Sequence, residues 1–154
     1  MMMHLICDVL SALSGKTLVS AESCTGGGIG AAITAVAGSS SVYKGGVISY
    51  TDWVKEKVLG VDRDLLLKHG AVSAQVAEEM AAGVRQLLRA DVAVSVTGLA
   101  GPGGDSFGNP IGTVFIGYSD KEKTYAKEFL FSGCREDIRN HAICEALKIV
   151  LEEN

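Results

Sequence analysis

The sequence predicts an α/β fold: a three-layer α/β/α sandwich around a mixed, mostly parallel sheet of about five strands. Short apolar segments alternate with amphipathic ones along most of the chain, as they do where helices connect parallel strands. Near the end, the strand-like segments 112–118 and 124–131 follow each other through a short polar connection, which predicts an antiparallel pair. The 154 residues fit a single domain, 1–154, without an internal repeat or a low-complexity linker.

The first quarter of the chain predicts a helix, a strand and a second helix. Apolar residues recur at helical spacing from Leu5 to Leu13, and Gly15 is a plausible stop. Residues 17–20 are predicted to form a short apolar strand. The segment 29–36, which is rich in small residues, is predicted to form a helix. A glycine-rich connection therefore joins this strand directly to its helix.

The second strand is predicted over 45–50, followed by Asp52 as the cap of a helix over 53–59. A shorter helical segment, 65–68, is closed by Gly70.

The longest central helix is predicted over 73–89, with Ser73 as its cap and an apolar stripe along one side. A short apolar strand over 91–96 leads into a long glycine-rich loop. After the antiparallel pair, a helix over 136–152 closes the domain.

Composition excludes several classes of protein. Fourteen basic and 18 acidic residues give a net charge of −4 without a basic cluster, so we expect no nucleic-acid partner. No apolar run approaches the roughly 20 residues that span a bilayer, and Asp8 interrupts the apolar N-terminus, so we expect neither membrane association nor a signal peptide. The four cysteines form no C-x-x-C pair, which predicts no metal site and a reduced, cytoplasmic location.

The segment 21–28, Ala-Glu-Ser-Cys-Thr-Gly-Gly-Gly, is the strongest candidate for a site. It places Ser23, Cys24 and Thr25 between a strand and the start of a helix, where unpaired backbone N–H groups and the helix dipole favour an oxyanion or a phosphate. The glycines that follow allow a ligand to approach the backbone closely.

The chemistry of this segment has more than one interpretation. No histidine lies in a setting typical of a Ser/His/Asp triad, so Ser23 needs another base; Lys55 could serve if burial lowers its pKa, or it could be a surface lysine. Cys24 is a rival nucleophile, because a helix N-terminus lowers a thiol pKa, or else a small buried apolar residue. Thr25 fits the cap of the helix better than a chemical role.

A second glycine-rich loop, 97–104, could bind phosphate through its backbone N–H groups or simply connect two strands. Arg135 and Arg139, one helical turn apart, could bind a phosphate or pair with Glu136 and Asp137.

A dinucleotide-binding alternative comes from residues 26–31, which formally match G-x-G-x-x-A, with Asp52 as the ribose-binding acid. The turn is longer than that motif requires and the acid lies too late in the sequence. A phosphate loop of the Walker A type is absent, because no G-K-[ST] follows the glycines.

The chain resembles a known family, the C-terminal domain of the CinA competence/damage-inducible proteins, also found as stand-alone nicotinamide mononucleotide deamidases (PncC). The matching blocks lie in the family's order over nearly the whole chain. They are residues 21–27, 37–40, Tyr50 with Lys55, 59–61, 69–73, 97–104, 110–114, and Arg135 with Arg139.

The resemblance implies hydrolysis of the carboxamide of nicotinamide mononucleotide to nicotinic acid mononucleotide and ammonia, without a metal or another cofactor. Ser23 would be the acylated nucleophile, Lys55 and Tyr50 the proton-transfer groups, and N–H groups around residues 25–27 the oxyanion donors. The expected substrate-binding residues are Cys24, Thr25, Gly26, Gly27, Thr97, Gly98, Gly101, Gly103, Gly104, Arg135 and Arg139. The alternative is a non-catalytic nucleotide-binding or interaction domain of the same family.

The sequence departs from the family's usual pattern in two places. Between Tyr50 and Lys55 the family commonly has Ser-Asn-Glu-Ala, whereas this chain has Thr-Asp-Trp-Val, with the bulky Trp53. Asn109 stands where the family often has lysine. We expect a small-molecule pyridine nucleotide as the partner, and a homo-oligomer is compatible with the sequence.

Overall fold

The computed structural model describes residues 1–154. In chain order, the elements are α1 (Met2–Ala12), β1 (Leu18–Glu22), α2 (Gly28–Thr34), a 3-10 turn (Ser39–Ser41), β2 (Tyr43–Ile48), α3 (Asp52–Lys57), α4 (Arg63–His69), α5 (Ala74–Leu87), β3 (Val92–Gly98), β4 (Thr113–Ser119), β5 (Thr124–Leu130) and α6 (Arg135–Glu153).

The five strands form one mixed sheet in the order β2-β1-β3-β4-β5. β1 pairs in parallel with β2 and β3, while β4 is antiparallel to both β3 and β5, so four strands run in one direction and β4 runs against them. Helices α1, α2 and α6 lie on one face, and α5, with α4 against it, covers the other. The predicted three-layer α/β/α architecture is confirmed.

Two hydrophobic cores fill the spaces between the layers. Because side chains alternate along a strand, Leu18 joins the larger core with α1, α2 and α6, whereas Val19 and Ala21 face α5. The same alternation puts Ser20 and Glu22 beside Leu18, on the α2 side. A carboxylate thus enters the interior at the end of β1.

Several predicted boundaries were wrong by a few residues, including three near the ends of β1 and β2. β1 continues to Glu22, two residues past the predicted end, since its last residues still pair with β2 and β3. β2 begins at Tyr43 rather than at 45. The cap of α3 is Thr51, whose side chain accepts from the Val54 N–H, and Asp52 is the first helical residue.

The long loop between β3 and β4 is closed at its base by backbone hydrogen bonds. Leu99 N–H donates to the Thr113 carbonyl, and Gly112 N–H donates to the Leu99 carbonyl. Gly112 has φ of 96°, and a Cβ there would lie 2.0 Å from the Phe131 carbonyl oxygen, so this position requires glycine. The loop leaves and rejoins the sheet at one point, beside the site described next.

No helix combines the length and the apolar character needed to cross a membrane.

Candidate active site

Ser23 is the first residue after β1, and its backbone is fixed by the neighbouring strand. Its N–H donates to the Val96 carbonyl of β3 at 2.9 Å, and its own carbonyl accepts from Gly26 N–H at 3.0 Å. Gly26 and Gly27 follow with φ of 59° and 98°, a left-handed pair that favours glycine. The chain therefore turns sharply after the serine and leaves its hydroxyl at the end of the sheet.

Lys55 brings its ammonium to this hydroxyl from a different βα unit. Its Nζ lies 2.9 Å from Ser23 Oγ and 2.6 Å from the Ser49 carbonyl oxygen. The residue is only 1% exposed, so it is a buried lysine and not the surface lysine that its spacing also allowed. The short helix α3 begins at Asp52, after the three-residue connection 49–51 that follows β2, and it points this side chain back across the end of β1.

Burial lowers the pKa of the Lys55 ammonium from 10.5 to about 8, because a charged group is poorly solvated there. Asp52 and, more weakly, Cys24 act in the opposite direction. No carboxylate forms an ion pair with Lys55; its two hydrogen-bond acceptors are neutral oxygens. At pH 7 about a tenth of this lysine is therefore uncharged, far more than for a lysine of ordinary pKa, and its lone pair lies 2.9 Å from the serine.

Cys24 has the properties of a buried thiol rather than of a nucleophile. Burial raises its pKa from 9.0 to about 11, outweighing its backbone hydrogen bond and the charges of Lys55 and Arg139. Of the two interpretations that the sequence left open for Cys24, the small buried apolar residue is the one that agrees with this burial, since desolvation is the largest effect on the thiol pKa.

Glu22 has a structural role in this segment that sequence analysis missed. Its carboxylate is 2% exposed and accepts from Ile29 N–H at 2.8 Å and Gly30 N–H at 3.2 Å, so it occupies the start of α2. Thr25 does not cap the helix: its hydroxyl donates to Glu22 Oε1 at 2.7 Å, and the cap residue is Gly27. An acidic residue at the end of an otherwise apolar strand was the signal for this role.

The start of α2 is consequently not the anion site that the sequence predicted. Gly28 N–H donates to the Thr25 carbonyl, and the next two N–H groups are bonded to Glu22. The backbone N–H groups of Cys24, Thr25 and Gly27 have no acceptor within the protein. The donors left for a ligand lie in the turn and not in the helix.

Arg135 and Arg139 both reach the site from α6, and neither pairs with Glu136 or Asp137. Arg135 donates to the Gly101 carbonyl at 2.7 Å and to the Tyr50 hydroxyl at 3.1 Å, joining two sides of the cavity. Arg139 donates to the carbonyls of the turn after Ser23. Because the two arginines are four residues apart, they lie on the same face of the helix.

One cavity of about 440 Å³ collects most of the predicted residues. It lies at the ends of β1 and β3, where ligands commonly bind in open α/β sheets. Its lining includes Ser23, Cys24, Tyr50, Lys55, Thr97, Gly98, Gly101, Gly103, Gly104 and Arg135, and also Asp52, Ala71, Val72, Leu99, Ala100 and Pro102. Tyr50 is 58% exposed at the cavity and makes no hydrogen bond to Ser23 or Lys55.

Four predicted substrate-binding residues lie outside this lining: Thr25, Gly26, Gly27 and Arg139. They form and support the turn instead. Of the two departures from the family pattern, the segment 51–54 reaches the lining through Asp52, whereas Trp53 and Asn109 lie outside it. Trp53 is 65% exposed beside α4, and Asn109 donates to Asp105 Oδ2 at 2.7 Å within the long loop.

Comparison with known proteins gives a consistent result. The family model of the CinA C-terminal domain, built from sequences, matches residues 2–153 of this chain. A CinA-like protein of Endomicrobium trichonymphae is 45% identical over 150 residues, covering 93% of this chain and 35% of that protein. A CinA-like protein of Synechococcus sp. is 61% identical over 103 residues, covering 67% of this chain and 24% of that protein. The chain thus spans about a third or less of the length of these curated relatives.

Solved structures match over the full domain. The competence damage-inducible protein A of Klebsiella pneumoniae is 37% identical with a TM-score of 0.96, covering 99% of this chain and 96% of that chain. A competence-damaged protein (CinA) superfamily protein of Escherichia coli is 33% identical with a TM-score of 0.97, covering 100% of this chain and 91% of that chain. Matched along its length in both sequence and structure, the chain belongs to the CinA C-terminal domain family.

Proposed function

We propose that the protein is an amidohydrolase that converts nicotinamide mononucleotide to nicotinic acid mononucleotide and ammonia, with Ser23 as nucleophile and Lys55 as general base. The observation that carries this proposal is the buried Lys55 Nζ at 2.9 Å from Ser23 Oγ, with a pKa lowered to about 8. A lysine becomes a usable base when desolvation makes its neutral form accessible. The identity of the amide substrate rests on the family resemblance.

In the first half-reaction, the uncharged Lys55 amine accepts the proton of the Ser23 hydroxyl as Oγ attacks the carboxamide carbon. Lys55 keeps one N–H directed at the Ser49 carbonyl, which fixes the lone pair toward the serine. The lysine then returns the proton to the amide nitrogen, the C–N bond breaks, and ammonia leaves. The product of this stage is an ester between the nicotinoyl group and Ser23.

In the second half-reaction, a water molecule gives a proton to Lys55 and attacks the ester carbon. The C–O bond to Ser23 breaks, Lys55 returns the proton to Oγ, and nicotinic acid mononucleotide is released. Each half passes through a tetrahedral oxyanion. Backbone N–H groups that lack an acceptor, on Cys24 and Thr25, are the donors available to stabilise it.

Arg135 and the loop around Gly101 are suited to the charged end of the substrate. Arg135 donates two of its N–H groups, one to the Gly101 carbonyl and one to the Tyr50 hydroxyl. Because a guanidinium has five N–H groups, the others remain for a phosphate. The Tyr50 hydroxyl accepts a hydrogen bond from Arg135 and forms none with Ser23. In our proposal the Tyr50 hydroxyl therefore transfers protons only to a bound substrate.

The test is ammonia release from nicotinamide mononucleotide by the purified protein, with the product identified by mass. We expect release by the parent, nearly none by Ser23→Ala, and a fall of at least about 10²-fold in Lys55→Met, the low end for a general base. Lys57→Met, an exposed lysine of the same helix, is the matched control and retains parental activity. Saturable binding of the nucleotide without ammonia release would instead indicate a nucleotide-binding domain.

A further inference from the structure

We infer that Arg139 is a positioning residue, which holds the peptide groups after Ser23 in the orientation that binds the oxyanion. This inference rests on the proposed amidase function. Sequence analysis expected Arg139 to bind substrate, but the contacts of its guanidinium assign it to the backbone of the turn.

The guanidinium of Arg139 holds two consecutive carbonyl oxygens. Its Nε donates to the Cys24 carbonyl at 3.0 Å and its Nη2 donates to the Thr25 carbonyl at 3.1 Å. The side chain comes from the second turn of α6, more than 110 residues later in the chain. Two donors of a rigid planar group restrict both peptides more than two independent donors would.

Holding a carbonyl also sets the direction of an N–H group. In a trans peptide the C=O and the N–H lie in one plane and point in opposite directions. When Arg139 binds the Cys24 carbonyl, the Thr25 N–H is directed away from the arginine. When it binds the Thr25 carbonyl, the Gly26 N–H is fixed in the same way.

The Gly26 N–H then fixes a third peptide. It donates to the Ser23 carbonyl at 3.0 Å, and this bond sets the direction of the Cys24 N–H. The Cys24 and Thr25 N–H groups, the two that Arg139 orients directly or through Gly26, have no acceptor within the protein. The N–H of the residue after the nucleophile serves as an oxyanion donor in other serine hydrolases.

The position of Arg139 argues against direct contact with substrate. It does not line the cavity that contains Ser23 and Lys55, whereas Arg135 does. Arg139 also forms no ion pair, and both hydrogen bonds of its guanidinium go to neutral carbonyl oxygens of the turn.

The kinetic test compares Arg139→Met and Arg139→Lys with Arg85→Met, in which an arginine that donates to Ser119 at the other end of the sheet is removed. Loss of an oriented oxyanion donor lowers kcat by about 10²-fold, and we expect that fall in Arg139→Met with KM unchanged. Arg139→Lys retains the charge without the planar pair of donors, so its kcat stays low. Arg85→Met retains parental values.

Two further measurements separate positioning from general loss of structure. Added ethylguanidinium should raise the kcat of an Arg139→Ala variant and leave the Ser23→Ala variant inactive. Hydrogen exchange of the Gly26 amide should be faster in Arg139→Met than in Arg85→Met. The two variants should nevertheless have equal midpoints of thermal unfolding, as followed by signals from α5 and from the sheet.

Either of two results would overturn the inference: a raised KM with unchanged kcat, which means that Arg139 binds substrate, or unchanged protection of the Gly26 amide. If the parent releases no ammonia, the proposed function fails, and the exchange measurement still decides whether Arg139 holds these peptides.

Discussion

Its surroundings suit Lys55 to the proposed role of base, because a lysine on the surface keeps a pKa near 10.5, whereas this one has a pKa of about 8. Its two acceptors, Ser23 Oγ and the Ser49 carbonyl, are uncharged and offset only part of the cost of burying an ammonium. The penalty on the charged form is what makes the neutral amine available to the serine.

The pH dependence of the reaction should follow this group. Because the base acts when deprotonated, kcat/KM should increase as the pH rises through about 8 and level off above it. Steady-state assays across this range in buffers of constant ionic strength measure the profile. A profile that is flat from pH 6 to pH 9, or that falls through this range, contradicts Lys55 as the base.

At the residue scale, sequence analysis named Ser23, Lys55 and the two arginines as candidate site residues, but it did not predict the contacts of their side chains. The spacing from Tyr50 to Lys55 allowed a buried or a solvated lysine, and only the direction of α3 decides between them. For Cys24 the sequence left a lowered thiol pKa and a small buried residue as alternatives, and the burial of the side chain decides for the second.

Helix α2 depends on Glu22 more than on its own sequence. Its cap residue, Gly27, provides no side-chain hydrogen bond, and two of its seven residues are glycine and one is threonine, which favour a helix less than alanine does. The carboxylate that binds Ile29 and Gly30 N–H comes from β1. Strand, turn and helix are therefore held together by one side chain.

We expect Glu22→Ala to lower the free energy of unfolding by about 3 kcal/mol, since it leaves two backbone donors without an acceptor. Glu22→Gln, which keeps one acceptor oxygen, should lose less. Urea denaturation of both variants, beside Glu128→Ala on the exposed part of β5, gives the comparison. Equal stability of Glu22→Ala and Glu128→Ala would show that water replaces the carboxylate without cost.

Gly83 tests packing against helix propensity within α5. Alanine in a helix interior is favoured over glycine by about 1 kcal/mol. A Cβ at this position would lie 2.1 Å from the Leu59 carbonyl oxygen, so α5 would have to move away from the segment before α4.

We expect the close contact to dominate, so that Gly83→Ala lowers the free energy of unfolding by about 1–3 kcal/mol, as overpacking does. Thermal and urea unfolding measure it, with Gln86→Ala, an exposed position of the same helix, as the control for propensity alone. A gain in stability for Gly83→Ala would mean that the backbone at Leu59 moves at little cost.

At the scale of elements, the sequence predicted all five strands and the six α-helices but not every boundary. Periodicity locates an apolar segment, whereas its last residues depend on pairing with other strands; β1 continued to Glu22 for that reason. Thr51 and Asp52 are both good caps by residue type. Thr51 is the cap because its backbone is extended and its side chain accepts from the Val54 N–H.

The whole molecule assembles the cavity from distant parts of the chain. Ser23 follows β1, Lys55 lies in α3, Gly98 ends β3, and Arg135 begins α6. A cavity built in this way forms only when the sheet has formed, so binding of a ligand stabilises the entire domain.

Binding of nicotinamide mononucleotide to the inactive Ser23→Ala variant should therefore raise the midpoint of thermal unfolding. At about 100 times its Kd, a ligand that binds only the folded state adds about 2.7 kcal/mol. Nicotinamide alone, which lacks the phosphate expected at Arg135, should give a smaller shift. An unchanged midpoint with the nucleotide at saturating concentration would argue against this substrate.

The fold as a whole was predictable because several independent signals agreed: short apolar strands, amphipathic helices between them, and a final hairpin. The hydrogen-bonded turn around Ser23 was not predictable in the same way. It depends on Glu22 from one side and Arg139 from the other, 116 residues after Ser23 and without a pattern that links them.

Because the loop from β3 to β4 is closed at its base, its length and sequence can change during evolution without disturbing the sheet. Since Leu99, Gly112 and Thr113 bond to one another, residues between them can be added or lost without shifting the strands. Each doubling of such a loop costs only about 0.6 kcal/mol in closure entropy. Descendants of one ancestor could therefore acquire different substrate preferences through insertions here while Ser23 and Lys55 stay in place.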